Sequence, residues 1–137
     1  SKEYNEFRTL YSSYFPLADK DAPSFAANTF DAAILAALAI QKAGSATDRV
    51  AIRDALRDVA SAPGKPYTPS QIGEALQAIR EGDDIDYKGA SGNLDFDGAG
   101  NVTAGFIVWL AARGADNKLD FQTVGRFSVE ELLEQVQ

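Results

Sequence analysis

The chain has 137 residues, of which 45% are hydrophobic and 24% are charged, so it is long enough for one domain and too apolar for wholesale disorder. Thirteen basic residues against twenty acidic ones give a formal net charge of −7, which disfavours binding to nucleic acid or to an anionic membrane surface. Without His or Cys the chain has no Ser-His or Cys-His nucleophile, no disulfide and no Cys/His zinc site. We expect neither a cofactor nor a metal.

The first predicted element is an amphipathic helix that Pro16 ends, because a residue before proline avoids the helical conformation. Its apolar positions recur at helical spacing: Tyr4, Phe7, Leu10, Tyr11 and Tyr14. A polar linker follows at residues 18–24.

A long apolar run from Phe25 to Ala43 predicts the second helix, which Gly44 closes as a left-handed cap. This helix lacks a polar face, so we expect it to be buried on several sides, which needs more neighbours than the rest of the chain supplies. The chain also has no Met, even at position 1. Both features predict a processed chain or a fragment, with more of the same polypeptide upstream.

The third helix is predicted to start at Thr47 or Asp48, and a loop rich in proline and glycine follows at residues 60–67. Thr68 begins a fourth helix, with Gln71 placed to reach back to the cap, and Gly82 ends it. The carboxylates of Asp83, Asp84 and Asp86 then form what we interpret as a solvated charge run in a polar loop, since the sequence offers no apolar pocket nearby that would make them catalytic.

From Leu94 the apolar period changes from helical to alternating, which predicts β-structure. A turn at residues 98–101 leads into a strand over residues 102–112, expected to be buried with Trp109 in the core. After a second turn, a strand at residues 119–124 and a short helix from Ser128 complete the chain. Asp95 to Asn101 has some calcium-loop character but lacks ligands at its fifth and twelfth positions, so we interpret it as a hairpin turn.

Asp31 is a single charge inside the apolar second helix, flanked by Phe30 and alanines. The simpler interpretation is an acidic residue in the first turns, favoured by the helix dipole. The alternative is a carboxylate that faces a cleft and holds either a ligand ammonium or a partner backbone. Both interpretations stay open at this point.

Several phrases in order carry a resemblance to a known family: residues 25–35 before an alanine-rich helix that ends at Gly44, then residues 83–92, 94–101 and 105–109. They resemble the C-terminal third of type I periplasmic solute-binding proteins, the branched-chain amino acid and amide group of ABC importers. The resemblance implies an α/β chain that is a C-terminal fragment of a two-lobed fold, with parallel sheets flanked by helices and a ligand cleft between the lobes. Residues 1–91 would then pack on the sheet of one lobe. Residues 92–137 would form a hairpin and strands around the last crossing between lobes, plus a terminal helix.

The same resemblance implies a non-enzymatic, periplasmic or extracytoplasmic protein that binds a small amino acid or amide by hinge closure and delivers it to an ABC permease. It places ligand-binding candidates at Phe25, Asn28, Phe30 and Asp31, and it implies no cofactor and no nucleic-acid partner. The alternative within this fold is the ligand-sensing domain of a receptor or regulator. A carboxylate-dependent hydrolase or lyase and an isolated interaction module are the other hypotheses.

Overall fold

The computed structural model shows a mixed α/β chain, which agrees with the predicted α/β class. The residues that it describes are 1–15, 22–23, 25–114 and 117–134. The chain divides into two compact units, Ser1–Val102 and Thr103–Gln137. Among the described residues, no helix combines the length and the apolar character that crossing a membrane requires.

Helices dominate the described part of the first unit, which also contains one short pair of strands. Its elements in chain order are α1 (Lys2–Tyr14), α2 (Ala26–Ala43), α3 (Arg49–Ala60), β1 (Lys65–Tyr67), α4 (Ile72–Glu81) and β2 (Ile85–Tyr87). β1 and β2 pair in parallel, with Pro66 opposite Asp86. The predicted loop at residues 60–67 was therefore wrong at its end, because a three-residue strand gives too short a pattern to separate from a loop.

The helix boundaries follow the predicted capping chemistry. Gly44 ends α2 at a φ of 63°, in the left-handed region. The Asp48 carboxylate caps α3 by accepting hydrogen bonds from the backbone N–H groups of Val50 and Ala51. At the start of the fourth helical segment, the Thr68 N–H donates to Gln71 Oε1 at 3.3 Å. These three helix ends confirm the predictions.

The core of the first unit lies among α2, α3, α4 and the strand pair. Its most deeply buried members, at most 1% exposed, are Leu38, Ala39, Val59, Ala60, Ala75, Ile85 and Tyr87. α2 reaches this core with one face only, since Ala32, Ala33, Ala36, Ala37 and Ile40 on other sides are exposed. The other sides of α2 are uncovered in this chain, so its burial on several sides by further polypeptide stays a prediction. Alanine-rich helix surface tolerates exposure because each methyl group presents little apolar area to water.

α1 packs through Phe7, which is 2% exposed, against Ala27 and Ala90. Residues 16–21 and 24 lie outside the described residues, and they include Pro16 and most of the predicted linker. Glu6 also ties α1 to the turn before α4, because its carboxylate accepts from the Ser70 hydroxyl at 2.8 Å. A hydrogen bond from the Thr68 side chain lowers the pKa of Glu6 further than burial raises it.

The second unit, in its described part, is an antiparallel hairpin followed by a short helix. It comprises β3 (Phe106–Arg113), β4 (Leu119–Phe127) and α5 (Val129–Glu134). Ser128 and Glu131 form the predicted cap of α5 with reciprocal hydrogen bonds of 2.7 and 3.2 Å.

The hairpin corrects the prediction of a buried strand at residues 102–112. The strand begins only at Phe106, and nearly all residues of β3 and β4 are exposed. Trp109 is 43% exposed and therefore not a core residue. An apolar run predicts burial only if a neighbouring surface is available to cover it, and the described part of this unit supplies none.

The polar stretch after α4 was also interpreted wrongly as a solvated charge run throughout. Asp84 fits that interpretation, since it forms an exposed ion pair with Lys42 at 2.8 Å. Asp86 instead lies within β2 and is only 5% exposed. Its Oδ2 pairs with Lys88 Nζ at 2.6 Å, and its Oδ1 has no hydrogen-bond partner among the described residues.

Candidate functional site

The N-terminal end of α2 carries the four residues predicted to contact a ligand, and the structure separates them into two pairs. Phe25 precedes the helix at a φ of 67°, an unusual left-handed conformation for an aromatic residue, and is 68% exposed. Asn28, three residues further on, is also exposed. Phe25 and Asn28 are thus the candidates that solvent or a ligand can reach.

Phe30 is the first of the two inward candidates. Its ring lies 5.2 Å from that of Phe7, centre to centre, and the planes are tilted by 52°. This tilted pairing is favourable for aromatic rings and joins α2 to α1. Ligand contact by Phe30 stays a prediction, while its contact with Phe7 is a packing role.

Asp31 is the second inward candidate and is 1% exposed. Its Oδ1 accepts from the Tyr87 hydroxyl at 2.9 Å and from the Ala90 N–H at 3.0 Å. Its Oδ2 accepts from the Ser91 N–H at 2.7 Å and from the Ser91 hydroxyl at 2.6 Å. These four donors match the acceptor capacity of an ionised carboxylate and satisfy a buried charge that would otherwise be costly.

This geometry replaces the helix-dipole interpretation of Asp31. The residue lies beyond the first turn of α2, and no acidic residue occupies that turn. Its charge is balanced by hydrogen bonds from residues 87–91 and not by the helix N-terminus. Direct contact with a ligand ammonium stays a prediction, and in the described arrangement both carboxylate oxygens already hold two donors each.

Tyr87 and Gly89 show how closely this loop approaches α2. Burial raises the pKa of the Tyr87 phenol far above its usual value, and the negative charge of Asp31 raises it further. Tyr87 therefore stays protonated and donates to Asp31. Gly89 has no room for a side chain, because a Cβ there would lie 2.6 Å from Asp31 Oδ2 and would also collide with Leu94. Glycine permits this contact.

The sequence indicated each half of this cluster separately and missed their connection. The lone charge of Asp31 was identified as unusual, and residues 83–92 were identified as part of the family resemblance. Tyr87 and Ser91 were not identified as partners of Asp31, since they lie 56 and 60 residues away along the chain. A buried charge with no local partner was the one available signal that such donors had to exist.

The other acidic motif has the structure of a turn. Asp97 Oδ1 accepts from the N–H groups of Ala99 and Asn101, both at 2.8 Å, and Phe96 bridges to Val102. The backbone hydrogen bond from Asn101 lowers the pKa of Asp97. The hairpin-turn interpretation is confirmed. Within the described ranges, no group of three or more acidic side chains is placed to hold a metal ion.

Comparison with known proteins gives one relevant similarity. Over 81 residues the chain is 36% identical to the chemotactic signal transduction system substrate-binding protein BasB of Halobacterium salinarum. The matched region is 59% of this chain and 19% of BasB, so the chain aligns with about a fifth of that relative. No model of a known protein family matches the chain. No solved structure matches it either.

Proposed function

We propose that this chain is part of an extracytoplasmic protein that binds a small amino acid or amide without chemical turnover. The similarity to a substrate-binding protein over 81 residues is the observation that carries the proposal. The motif resemblance to type I solute-binding proteins supports the same function. Within that fold, a preceding part of the polypeptide would supply a second lobe and most ligand contacts, and ligand bridging both lobes would favour the closed state.

Phe25 and Asn28 would form the part of the ligand site that belongs to this chain. Both are exposed at the start of α2, and the aromatic ring of Phe25 offers a flat apolar surface for a ligand side chain. The left-handed backbone of Phe25 is a conformation that costs free energy and is found preferentially at functional sites. These features support a role for the exposed pair in binding.

Two outputs of ligand binding are open to such a protein. Delivery of the ligand to an ABC permease is the output implied by the motif resemblance. Sensing is the second candidate, and the name of BasB, which refers to chemotactic signal transduction, favours it. Co-purification of the ligand-loaded protein with a permease or with a chemotaxis transducer distinguishes import from sensing.

Calorimetry tests the binding proposal. The protein is the chain with whatever flanking sequence its gene encodes, and it is titrated with leucine, isoleucine, valine and their amides. Phe25→Ala should weaken binding by about 1 kcal/mol or more, roughly fivefold in Kd. Both residues have a Cβ, so the substitution leaves the left-handed backbone cost in place. Ile40→Ala, which truncates an exposed side chain near the other end of α2, is the control. Equal dissociation constants for wild type and Phe25→Ala would reject the role of this ring.

A further inference from the structure

We propose that Asp31 is the positioning residue of this ligand site, because its carboxylate fixes the loop at residues 88–92 against the first turns of α2. The part of this inference that concerns ligand binding rests on the proposed function. Asp31 does not itself touch the ligand in the proposed role. It fixes instead the loop that packs against Ala27, the residue that lies between Phe25 and Asn28 in the sequence.

The hydrogen bonds to Asp31 act mainly on the backbone of the loop. Three of the four donors to Asp31 come from two consecutive residues, Ala90 and Ser91, and two of these are backbone N–H groups. Backbone donors fix the path of the chain and not only a side-chain rotamer. The carboxylate therefore restrains the backbone of the loop at Ala90 and Ser91.

The loop at residues 88–92 also packs closely against α2. Ala90 is 5% exposed and packs with Ala27, on the first turn of α2, and with Phe7. The backbone at Gly89 lies so close to Asp31 that a methyl group would not fit between them. The loop is thus held from two sides, by apolar contact with Ala27 and by charge-assisted hydrogen bonds to Asp31.

Position 31 requires an aspartate for these contacts. Asparagine has one acceptor oxygen, so its amide N–H₂ would face donors that need an acceptor. Glutamate adds a methylene group in a place where Gly89 already leaves no space. Substitutions of either kind should release the loop while α2 keeps its apolar contacts with the core.

Amide hydrogen exchange measured by NMR tests the positioning role without any ligand. In Asp31→Asn, the N–H groups of Ala90 and Ser91 should exchange at least tenfold faster than in wild type. The N–H of Ile79 in α4 reports on global opening, and its exchange should change less. Asp58→Asn is the matched control, since it makes the same chemical change at an exposed position of α3. Equal acceleration at Ala90, Ser91 and Ile79 would overturn the inference.

Ser91→Ala keeps the experiment decisive if Asp31→Asn does not fold. This variant removes only the hydroxyl donor to Oδ2, and it should accelerate exchange of the Ser91-position N–H severalfold with little effect at Ile79. Unchanged exchange at residues 90 and 91 would count against a carboxylate that fixes the loop.

The effect of Asp31 on ligand binding is measured separately, by calorimetry with leucine as the probe. If wild type binds leucine, Asp31→Asn should raise Kd at least tenfold, and an unchanged Kd together with a released loop would refute the ligand part. If wild type binds none of the six compounds named above, the proposed function fails and the ligand part fails with it. Hydrogen exchange then still decides whether Asp31 fixes the loop, so the two failures are distinguishable.

Discussion

Gly89→Ala perturbs the contact between α2 and its loop by one methyl group. The new Cβ would lie 2.6 Å from Asp31 Oδ2, and it would also collide with Cδ1 of Leu94. The leucine methyl can rotate away. Asp31 is held by four hydrogen bonds and cannot move alone.

The expected loss of unfolding free energy in Gly89→Ala follows from these distances. Restoring an ordinary contact of about 3.4 Å requires a shift of roughly 0.8 Å between the loop and the carboxylate. Bonds to Asp31 that now measure between 2.6 and 3.0 Å would approach or exceed the limit of useful hydrogen bonding. Overpacking typically costs about 1–3 kcal/mol, and a weakened hydrogen bond to a charged group adds to it. We expect a loss of about 2–4 kcal/mol.

Urea unfolding followed by far-UV circular dichroism measures this loss. With a slope of about 2 kcal/mol per M for a domain of this size, the midpoint of Gly89→Ala should fall by about 1–2 M. Gly73→Ala is the control, because a Cβ at this α4 position meets no atom within 4 Å. It should raise stability by up to about 1 kcal/mol through helix propensity. Equal midpoints for the two variants would refute the reasoning.

Two further predictions concern an ionisable side chain and the hairpin. Burial raises the pKa of Tyr87 in the folded state. The side chain therefore contributes fully to the free energy of unfolding below its unfolded-state pKa of about 10, and this contribution declines as pH rises through the folded-state pKa. The unfolding free energy of wild type should therefore fall between pH 9 and 11, and the fall should be smaller in Tyr87→Phe. Urea titrations at each pH measure both proteins, and equal falls in the two would contradict this prediction. Acrylamide should quench the fluorescence of Trp109, the single tryptophan, in the native chain to at least a third of the extent found for the chain unfolded in urea. Complete protection would show that another surface covers β3.

The hairpin of β3 and β4 and one side of α2 both expose apolar side chains, and this exposure bears on the proposed function. β3 and β4 present large apolar side chains with no covering surface in the described part of their unit. α2 likewise leaves Ala36 and Ile40 uncovered. A longer polypeptide with a second lobe, as proposed above, would supply apolar surface for such regions.

Much of the secondary structure could be predicted because it depends on neighbours close in the sequence. α3 begins where Asp48 can cap it, and α2 ends at Gly44 because glycine accepts a left-handed conformation. The turn at Asp97 is equally local, since its carboxylate bonds its own loop. In each case the partner atoms lie within a few residues, so the amino-acid order alone contains the information.

Tertiary structure alone decided which surfaces are buried and what Asp31 does. The apolar run at residues 106–112 is the same whether a covering surface is present or absent, so the sequence could not distinguish a core strand from an exposed one. The hydrogen bonds from Tyr87 and Ser91 to Asp31 join positions more than fifty residues apart. A buried charge requires donors, but only the folded chain determines which residues bring them within hydrogen-bond distance.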